Sequence, residues 1–265
     1  MSTPYLPPEI LDYVANQLHD EPESLRNCSL VAKSWVPRAR KHLFANIEFD
    51  SPWELQLWKK TFPNSSNSPA HYSCNLRVGH VDVVADVAEG GWVRAFSRVV
   101  RLQLDTTRTP DGEEFLVPFH RFSPALKVLR VYAATFPSWI FGLVFSFPLL
   151  QDLTLVCIDL SSGDDDHFQV PQVVAPAIPP AFTGSLKLRP AKSMAMAVPP
   201  LVNLPNGLRF QELNLSWRCE QDLWWTNELV SACRDTLESI DMTHLQFGAP
   251  VFVPAQDLPL SLVCR

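Results

Sequence analysis

The sequence contains little glycine and comparatively few charged residues, and both shortages limit the classes of protein to which the chain can belong. Nine of its 265 residues are glycine whereas 24 are proline, a pairing typical of many short elements separated by stiff turns. Apolar residues make up 46% and charged residues 19%, which is a globular rather than a disordered balance. Acidic residues outnumber basic ones by 28 to 22, and the net charge of −6 argues against a broad positive field for nucleic acid. We therefore expect a globular protein without a nucleic-acid partner.

Signals for secretion and for membrane insertion are also missing. The six cysteines have no CxxC pair and no spacing typical of a disulfide framework, so reduced thiols are the simpler interpretation. The N-terminus is proline-rich and acidic, unlike a signal peptide. The most apolar run, residues 136–150, is too short to span a bilayer and contains Pro137 and Pro148, which favours a buried helix. We expect a cytoplasmic or nuclear protein that has no membrane partner.

No motif of a common catalytic or nucleotide-binding site occurs in the chain. The patterns G-x-G-x-x-G, G-x-x-x-x-G-K-[ST], H-E-x-x-H and G-x-S-x-G are absent, so we expect neither an enzyme nor a cofactor. His71, Cys74 and His80 supply only three ligands, at spacings that no common zinc module uses. Asp164–Asp166 with His167 could suggest a cation site, but consecutive aspartates point in different directions and a solvated tip is favoured. We predict no metal site and no catalytic residues.

The first 44 residues are typical of a small helical module. Pro7 and Pro8 precede an amphipathic pattern, and proline costs no hydrogen bond in the first turn of a helix. The predicted first helix has one apolar face, formed by Ile10, Leu11, Val14 and Leu18. After a break at residues 20–22, a second helix that ends before Pro37 is predicted from the stripe Leu25, Cys28, Val31, Ala32 and Trp35. A short third helix follows. Three helices this small rarely stabilise themselves, so the rest of the chain or a partner must cover their apolar faces.

Two segments of this module resemble the F-box family. Residues 6–11 (LPPEIL) and residues 29–35 (SLVAKSW) stand in the family's order and spacing, with Ala32 where F-boxes usually carry cysteine. The resemblance implies that the module docks on the small Skp-type adaptor of a cullin–RING ubiquitin ligase. The side chains assigned to this contact are Leu6, Pro7, Ile10, Leu11, Val14, Leu30, Val31 and Trp35. The alternative is a helical cap on the first unit of a solenoid.

An apolar pattern of the form L-x-x-L-x-L recurs through the rest of the chain. Its middle apolar residues stand at positions 47, 76, 102, 129, 153, 186, 213 and 240, so the steps are 29, 26, 27, 24, 33, 27 and 27 residues. A period near 27 is typical of a leucine-rich-repeat solenoid, in which each unit contributes a strand and a helix. The predicted fold class is therefore α/β, with a three-helix F-box at residues 1–45 and an irregular leucine-rich-repeat-like solenoid at residues 46–265.

The segments between the predicted strands can each hold a helix, at residues 52–62, 81–96, 137–147 and 222–236. In the first of them Trp53, Leu57 and Trp58 are expected on one side. The longest step contains an inserted acidic and proline-rich loop, residues 159–180. The asparagine or cysteine that usually follows each repeat strand is missing, so we expect an irregular stack. No polar cap follows the last strand, which suggests a truncated or atypical product.

The repeat pattern also predicts which side chains a partner would meet. Because alternate side chains of a strand face opposite ways, the neighbours of the buried leucines face outward. This rule selects a strip formed by Arg77, Gln103, Arg130, Tyr132, Thr154, Lys187, Asn214 and Asp241. The strip is expected to begin basic and to end acidic, so an acidic or phosphorylated peptide would lie along its earlier part. The alternative is that these side chains only solvate a sheet.

An F-box followed by degenerate repeats is similar to a large group of fungal F-box proteins. The resemblance implies a substrate-recognition adaptor, in which the F-box contacts the Skp-type adaptor and, through it, the cullin–RING ligase. The solenoid would hold a protein substrate whose identity the sequence does not indicate. The alternative is a non-degradative scaffold that uses the same F-box contact and presents no substrate.

Overall fold

Three helices precede a sheet of eight parallel strands in the computed structural model of the protein. The structure describes residues 6–63, 67–79, 91–106, 122–133, 139–157, 180, 182–189, 194–204 and 207–244. The helices are α1 Pro8–Gln17, α2 Pro22–Val31, α3 Val36–Leu43, α4 Pro52–Thr61, α5 Gly91–Arg94, α6 Trp139–Phe145, α7 Val198–Val202 and α8 Glu220–Ala232. The strands are β1 Asn46–Phe49, β2 Asn75–Gly79, β3 Arg101–Thr106, β4 Val128–Ala133, β5 Asp152–Cys157, β6 Ser185–Arg189, β7 Glu212–Trp217 and β8 Ser239–His244.

Helices α1, α2 and α3 form the three-helix module, in which α3 contacts both of the others. Its small core contains Ala15, Leu25 and Ala39, with Leu18, Trp35 and Leu43 packed against it. The prediction that α2 continues toward Pro37 is wrong. The helix ends at Val31, because Ala32 is extended, and a proline occupies one of the first two positions of each of the three helices.

Polar contacts join α3 to α1 within this module. Arg38 Nε lies 2.6 Å from Asp12 Oδ1, and His42 Nε2 lies 3.0 Å from Asn16 Oδ1. Burial, followed by the nearby charges of Lys41 and His19, lowers the pKa of His42 below its ordinary value. His42 is therefore a neutral hydrogen-bonding link between the two helices at neutral pH.

The strands lie side by side in chain order, and the repeat pattern fixes their register. The eight marker residues of the L-x-x-L-x-L pattern pair directly across the sheet in one row: Ile47, Leu76, Leu102, Leu129, Leu153, Leu186, Leu213 and Ile240. A second row, two residues further along each strand, contains Phe49, Val78, Leu104, Val131, Leu155, Leu188, Leu215 and Met242. The first seven members of each row are buried. The predicted fold class is confirmed.

Backbone carbonyls connect successive repeats at the start of the strands. Cys74 and Asn75 both donate their N–H groups to the carbonyl of Ala45, and Val100 and Arg101 both donate to the carbonyl of Cys74. The same arrangement recurs at the acceptors Val100, Lys127, Gly184 and Gln211. Each acceptor stands immediately before a strand. These backbone hydrogen bonds link the repeats along the stack. They do not need the asparagine or cysteine side chain that usually follows each repeat strand and is missing from this sequence.

The 33-residue step between β5 and β6 interrupts this arrangement. The carbonyl of Gln151 accepts one N–H, from Gly184 at 3.2 Å, and the next N–H needs another acceptor. Asp152 Oδ1 provides it, because Ser185 donates its backbone N–H over 2.6 Å and its hydroxyl over 2.9 Å to that oxygen. A Cβ atom on Gly184 would clash with the same oxygen, so glycine is the residue that leaves it room.

The helices described after β1 overlap the predicted helical segments, except for α7 at residues 198–202, and α4 differs from the prediction in the face that it buries. Within α4, Leu55 is fully buried and Trp58 packs against the core, whereas Trp53 and Leu57 are exposed. The prediction that Trp53, Leu57 and Trp58 share one side is therefore wrong. Leu55, Trp58 and Phe62 are three and four residues apart, and this spacing places the inner face toward the core. Helix α8 begins two residues earlier than predicted.

The start of α8 is held by a buried carboxylate. Asp222 accepts N–H groups from Met194 and Arg218 over 2.8 and 2.9 Å, and from Cys219 over 3.4 Å. The bond from Cys219, the N-cap residue, forms part of a capping box, and the three bonds together offset the burial of the charge. Further along α8, Trp224 is exposed and Trp225 packs partly against the core, so only one of the adjacent tryptophans faces inward.

A large core fills the space between the sheet and the helices from β1 to α8. It is separate from the core of the three-helix module, and Phe44 at the end of α3 joins the two by packing against the larger one. Its ring lies 6.2 Å from that of Trp58 in an edge-on contact. The solenoid thus covers the end of α3 and leaves other parts of the module to solvent. The inserted loop 159–180 lies outside the described residues, except for residue 180.

Candidate functional site

The outward face of the sheet brings seven of the eight predicted strip residues into one row. Direct register partners run from Arg77 through Gln103, Arg130, Thr154, Lys187 and Asn214 to Asp241. Glu48 extends the row at its first strand. None of these side chains is buried, and parallel strands set them roughly 4.8 Å apart. The alternation of the strands therefore places them on a continuous, accessible strip.

Tyr132 lies in the neighbouring row, two residues further along the strands. Its register partners are Asp105 on β3 and Val156 on β5, and Val156 in turn pairs with Arg189. The side chains of Tyr132, Val156 and Asp105 are partly exposed and that of Arg189 is exposed. This row adds a phenol, an apolar side chain and charges of both signs beside the strip.

The beginning of the strip is acidic rather than basic, contrary to the expectation from sequence. Arg77 donates to Asp105 over 2.8 Å, and its guanidinium lies 3.5 Å from Glu48 and 3.4 Å from Asp50. The hydrogen bond that Arg77 donates to Asp105, followed by the negative charges of the carboxylates, raises the pKa of Arg77. Gln103 donates to the same Asp105 carboxylate. Three carboxylates therefore already compensate the guanidinium of Arg77, one of the cationic groups that the sequence offered for an anionic peptide.

A shallow pocket of about 200 Å³ opens on this part of the sheet face. It is lined by side chains of β1 to β4, including three of the predicted strip residues, Arg77, Gln103 and Arg130. Four further polar lining residues were not among the predicted ones: Asn46, Glu48, Asn75 and Arg101. Alternate residues of a strand face the same side, so this rule also selects Glu48 on β1 as an outward-facing residue. It likewise selects Asn46, Asn75 and Arg101, which stand two residues before Glu48, Arg77 and Gln103 on their strands.

Cationic side chains gather in the middle of the sheet face. Arg101 and Arg130 line the pocket, and Lys187 and Arg189 follow on β6. In the part of the chain that the structure describes, no carboxylate pairs with any of these four side chains. At the last strands the face becomes acidic again, where Asp241 accepts a hydrogen bond from Asn214 over 2.9 Å. The charge of the face therefore changes from acidic to basic and back to acidic.

The three-helix module exposes the second candidate surface. Five of the nine large exposed hydrophobic side chains among the described residues belong to it: Leu6, Ile10, Tyr13, Leu30 and Val31. Leu30 and Val31, at the end of α2, are 83% and 77% exposed. Burying apolar side chains is favourable by roughly 1.5–3 kcal/mol each, so such a surface is suited to a protein partner.

The predicted contact residues of this module divide into accessible and inaccessible ones. Leu6, Pro7, Ile10, Leu30 and Val31 are exposed, whereas Val14 and Trp35 are half-buried. Leu11 is buried, with 3% of its surface exposed, so its side chain supports α1 from inside rather than meeting a partner. Tyr13 is exposed on α1 but was not predicted, because it lies outside the apolar face that Ile10, Leu11 and Val14 define on this helix.

The described residues bear on three further predictions, which concern metals, thiols and membranes. Within those ranges no three His, Cys, Asp or Glu side chains converge as a metal site, and His80 and residues 164–167 lie outside them. Cys28, Cys74, Cys219 and Cys233 are free thiols. No helix in the described part of the chain has both the length and the apolar character needed to cross a bilayer.

Comparison of the chain with models of known protein families, with curated proteins and with solved structures found no match.

Proposed function

We propose that this chain is the substrate-recognition subunit of a Skp–cullin–F-box ubiquitin ligase. The three-helix module would be the F-box that docks the Skp-type adaptor, and the outer sheet face would hold a protein substrate. The observation that carries the proposal is the exposed apolar surface of the module, above all Leu30 and Val31 at the end of α2. These residues belong to the segment that resembles the F-box motif.

The division of the chain into two cores supports this two-part role. The module has its own small core, and the larger core begins at β1. A module with so few buried side chains gains stability when a partner covers its exposed apolar surface. The sheet face, in contrast, is polar and continuous across eight strands, as suits recognition of a polar segment of another protein.

The chain would contribute proximity rather than chemistry. Holding a substrate near a conjugating enzyme raises the effective concentration of its lysines, and the ubiquitin transfer itself belongs to the partners. This role needs neither a catalytic residue nor a cofactor in the chain. We place such a complex in the cytoplasm or nucleus, where thiols stay reduced.

Capture of a purified Skp-type adaptor tests the proposal. The variant Leu30→Ala/Val31→Ala removes the two most exposed large apolar side chains among the described residues without touching either core, and we expect binding to weaken about tenfold or more. The matched control is Trp53→Ala/Leu57→Ala, which removes two exposed apolar side chains of α4 outside the module. Equal capture of the adaptor by the parent and by the Leu30/Val31 variant would refute the assignment, provided that their circular dichroism spectra agree.

The alternative is a scaffold that uses the same adaptor contact without presenting a substrate. Both roles retain the Skp-type adaptor on purification. Only the ligase subunit also recovers the cullin, together with a bound protein that accumulates when the proteasome is inhibited. Recovery of the adaptor alone would favour the scaffold.

A further inference from the structure

The end of α2, residues 26–31, is held in place by few contacts. Leu25 is the one buried residue of this helix, so no side chain after it is anchored in the core of the module. The helix stops at Val31, and Ala32 is extended. Helix ends without buried side chains open at low cost. This segment can therefore leave the helix and become accessible to an enzyme.

Ser29 carries a hydroxyl group in the last turn of this segment. The side chain is half-buried, and its Oγ donates a hydrogen bond to the carbonyl oxygen of Arg26 over 2.6 Å. The acceptor lies three residues earlier in the same helix, so opening of the turn breaks the bond. The hydroxyl is then free to act as a nucleophile.

The residues around Ser29 match the charge pattern that one class of protein kinases selects. Arg26 stands three residues before Ser29, and the apolar Leu30 follows it. The side chain of Arg26 is exposed, and no carboxylate in the described part of the chain pairs with it. Kinases that select basic substrates hold such an arginine with carboxylates of their own. An exposed arginine at this distance therefore favours recognition of Ser29.

We infer that Ser29 is a phosphorylation site whose modification releases the Skp-type adaptor. The inference rests on the proposed function, because it concerns the regulation of the adaptor contact. In the reaction, Ser29 Oγ forms a bond to the γ-phosphorus of ATP, and the bond from that phosphorus to the bridging oxygen of ADP breaks. The hydroxyl proton passes to the catalytic base of the kinase, and ADP leaves.

Two physical effects make a phosphate at Ser29 unfavourable for docking. The phosphate stands beside Leu30 and Val31, so it loses water when a partner covers these exposed side chains. It also lies in the last turn of α2, where the helix dipole disfavours negative charge. Arg26 is within reach of the phosphate, but one guanidinium compensates only about half of a charge of roughly −2.

Ser24 provides a matched position in the same helix. It is also half-buried, and its Oγ donates to Glu21 Oε2 over 2.8 Å. Ser24 lies in the first turn of α2, where the helix dipole favours negative charge, and it is remote in sequence from Leu30 and Val31. A phosphate at Ser24 therefore adds the same charge without either of the two unfavourable effects.

Labelling by a kinase tests the modification site. The full chain is incubated with ATP and a purified calmodulin-dependent protein kinase, an enzyme that selects arginine three residues before serine, and mass spectrometry locates the phosphate. We expect phosphate on Ser29, and labelling about tenfold slower or worse in Arg26→Gln. The matched control Arg40→Gln removes another exposed arginine of the module and should be labelled as the parent is. Absence of phosphate from Ser29 would overturn the inference, as would equal slowing in both arginine variants.

Capture of the purified Skp-type adaptor tests the release. Phosphoserine is installed in the full chain at position 29 or at position 24 by genetic code expansion. We expect phosphoserine at position 29 to weaken capture about tenfold or more, and phosphoserine at position 24 to leave it near that of the parent. Treatment of the first protein with a phosphatase should restore capture, which distinguishes release from misfolding.

The outcomes separate this inference from the proposed function. Equal capture by the two phosphorylated proteins would overturn the release and leave the adaptor contact intact. An unmodified parent chain that captures no adaptor would refute the proposed function and the release together. In that case phosphate found on Ser29 by mass spectrometry would still establish the modification site.

Discussion

Individual side chains in this protein change role according to what the fold sets beside them. Arg77 is a cation in an outward position, yet three carboxylates surround it, whereas no carboxylate among the described residues pairs with Arg101. Leu11 and Ile10 are adjacent in α1, but only Ile10 is exposed. Residue type and spacing therefore select candidates, and their neighbours from other repeats decide which candidates can bind a partner.

The thiol of Cys233 offers a prediction at this scale. Burial raises its pKa from the ordinary 9.0 to about 11, although a backbone hydrogen bond with Phe210 acts in the opposite direction. Because the thiolate is the reactive form, Cys233 should resist a maleimide reagent at pH 8 in the folded chain, while the exposed Cys74 and Cys219 are labelled. Mass spectrometry of the digested product measures the labelling.

The raised pKa also fixes the sign of the effect on stability. The folded chain holds the proton of Cys233 more tightly than the unfolded chain, so this contribution is complete below pH 9.0 and is lost as pH rises through about 11. Labelling of Cys233 at pH 8 as fast as that of Cys74, in a chain whose circular dichroism is native, would contradict the prediction.

At the scale of the elements, short backbone hydrogen bonds decide how one repeat joins the next. Carbonyls that stand just before the strands usually accept two N–H groups, and β5 to β6 is the joint where a side chain replaces one of these bonds. This joint coincides with the longest step between repeats, 33 residues. An irregular repeat can keep its register when one carboxylate takes over the missing acceptor.

We predict that Asp152→Ala destabilises the protein because Ser185 loses the acceptor of its backbone N–H. An unsatisfied part-buried donor costs about 1–3 kcal/mol, which urea unfolding resolves. Asp152→Asn keeps a side-chain oxygen and should cost less. The control Asp241→Ala removes an aspartate from an exposed side-chain bond on β8, where we expect a change within about 0.5 kcal/mol. Equal free energies of unfolding for the alanine and asparagine variants of Asp152 would argue against this role.

At the scale of the whole molecule, one apolar row across eight strands holds the solenoid together. No single repeat can bury its own apolar side, so each depends on its neighbours, and the row continues from Ile47 to Ile240. Loss of one member therefore weakens the contacts of the repeats on both sides.

Replacing buried leucines of this row tests that dependence. Leu129, Leu153 and Leu213 are at most 1% exposed, so Leu→Ala at each position should lower the free energy of unfolding by about 2–5 kcal/mol in urea. Leu149→Ala is the matched control, because Leu149 is half exposed and its truncation should cost about 0.5 kcal/mol or less. Three variants as stable as the control would show that the row is not the core.

The sequence by itself determined the fold class, the strand order and the register of this protein. The reason is physical: a leucine returning about every 27 residues can be buried only if the repeats stack in order, and alternation then assigns each neighbour to a face. The sequence alone therefore predicts the row of outward-facing side chains on the strands. The exposed side chains of Leu30 and Val31 at the end of α2 were also among the predicted contact residues, because they lie in the segment that resembles the F-box motif.

Only the tertiary structure decided the electrostatic character of the sheet face and the inner side of α4. Glu48, Arg77 and Asp105 are separated by about 28 residues at each step, and their pairing depends on strand register and side-chain length rather than on local sequence. Helix α4 has apolar residues on more than one side, so the position of the core chose Leu55 and Trp58 over Trp53 and Leu57. The local pattern of apolar residues is compatible with burial of either face of α4. Long-range packing against the rest of the core therefore decides which face is buried.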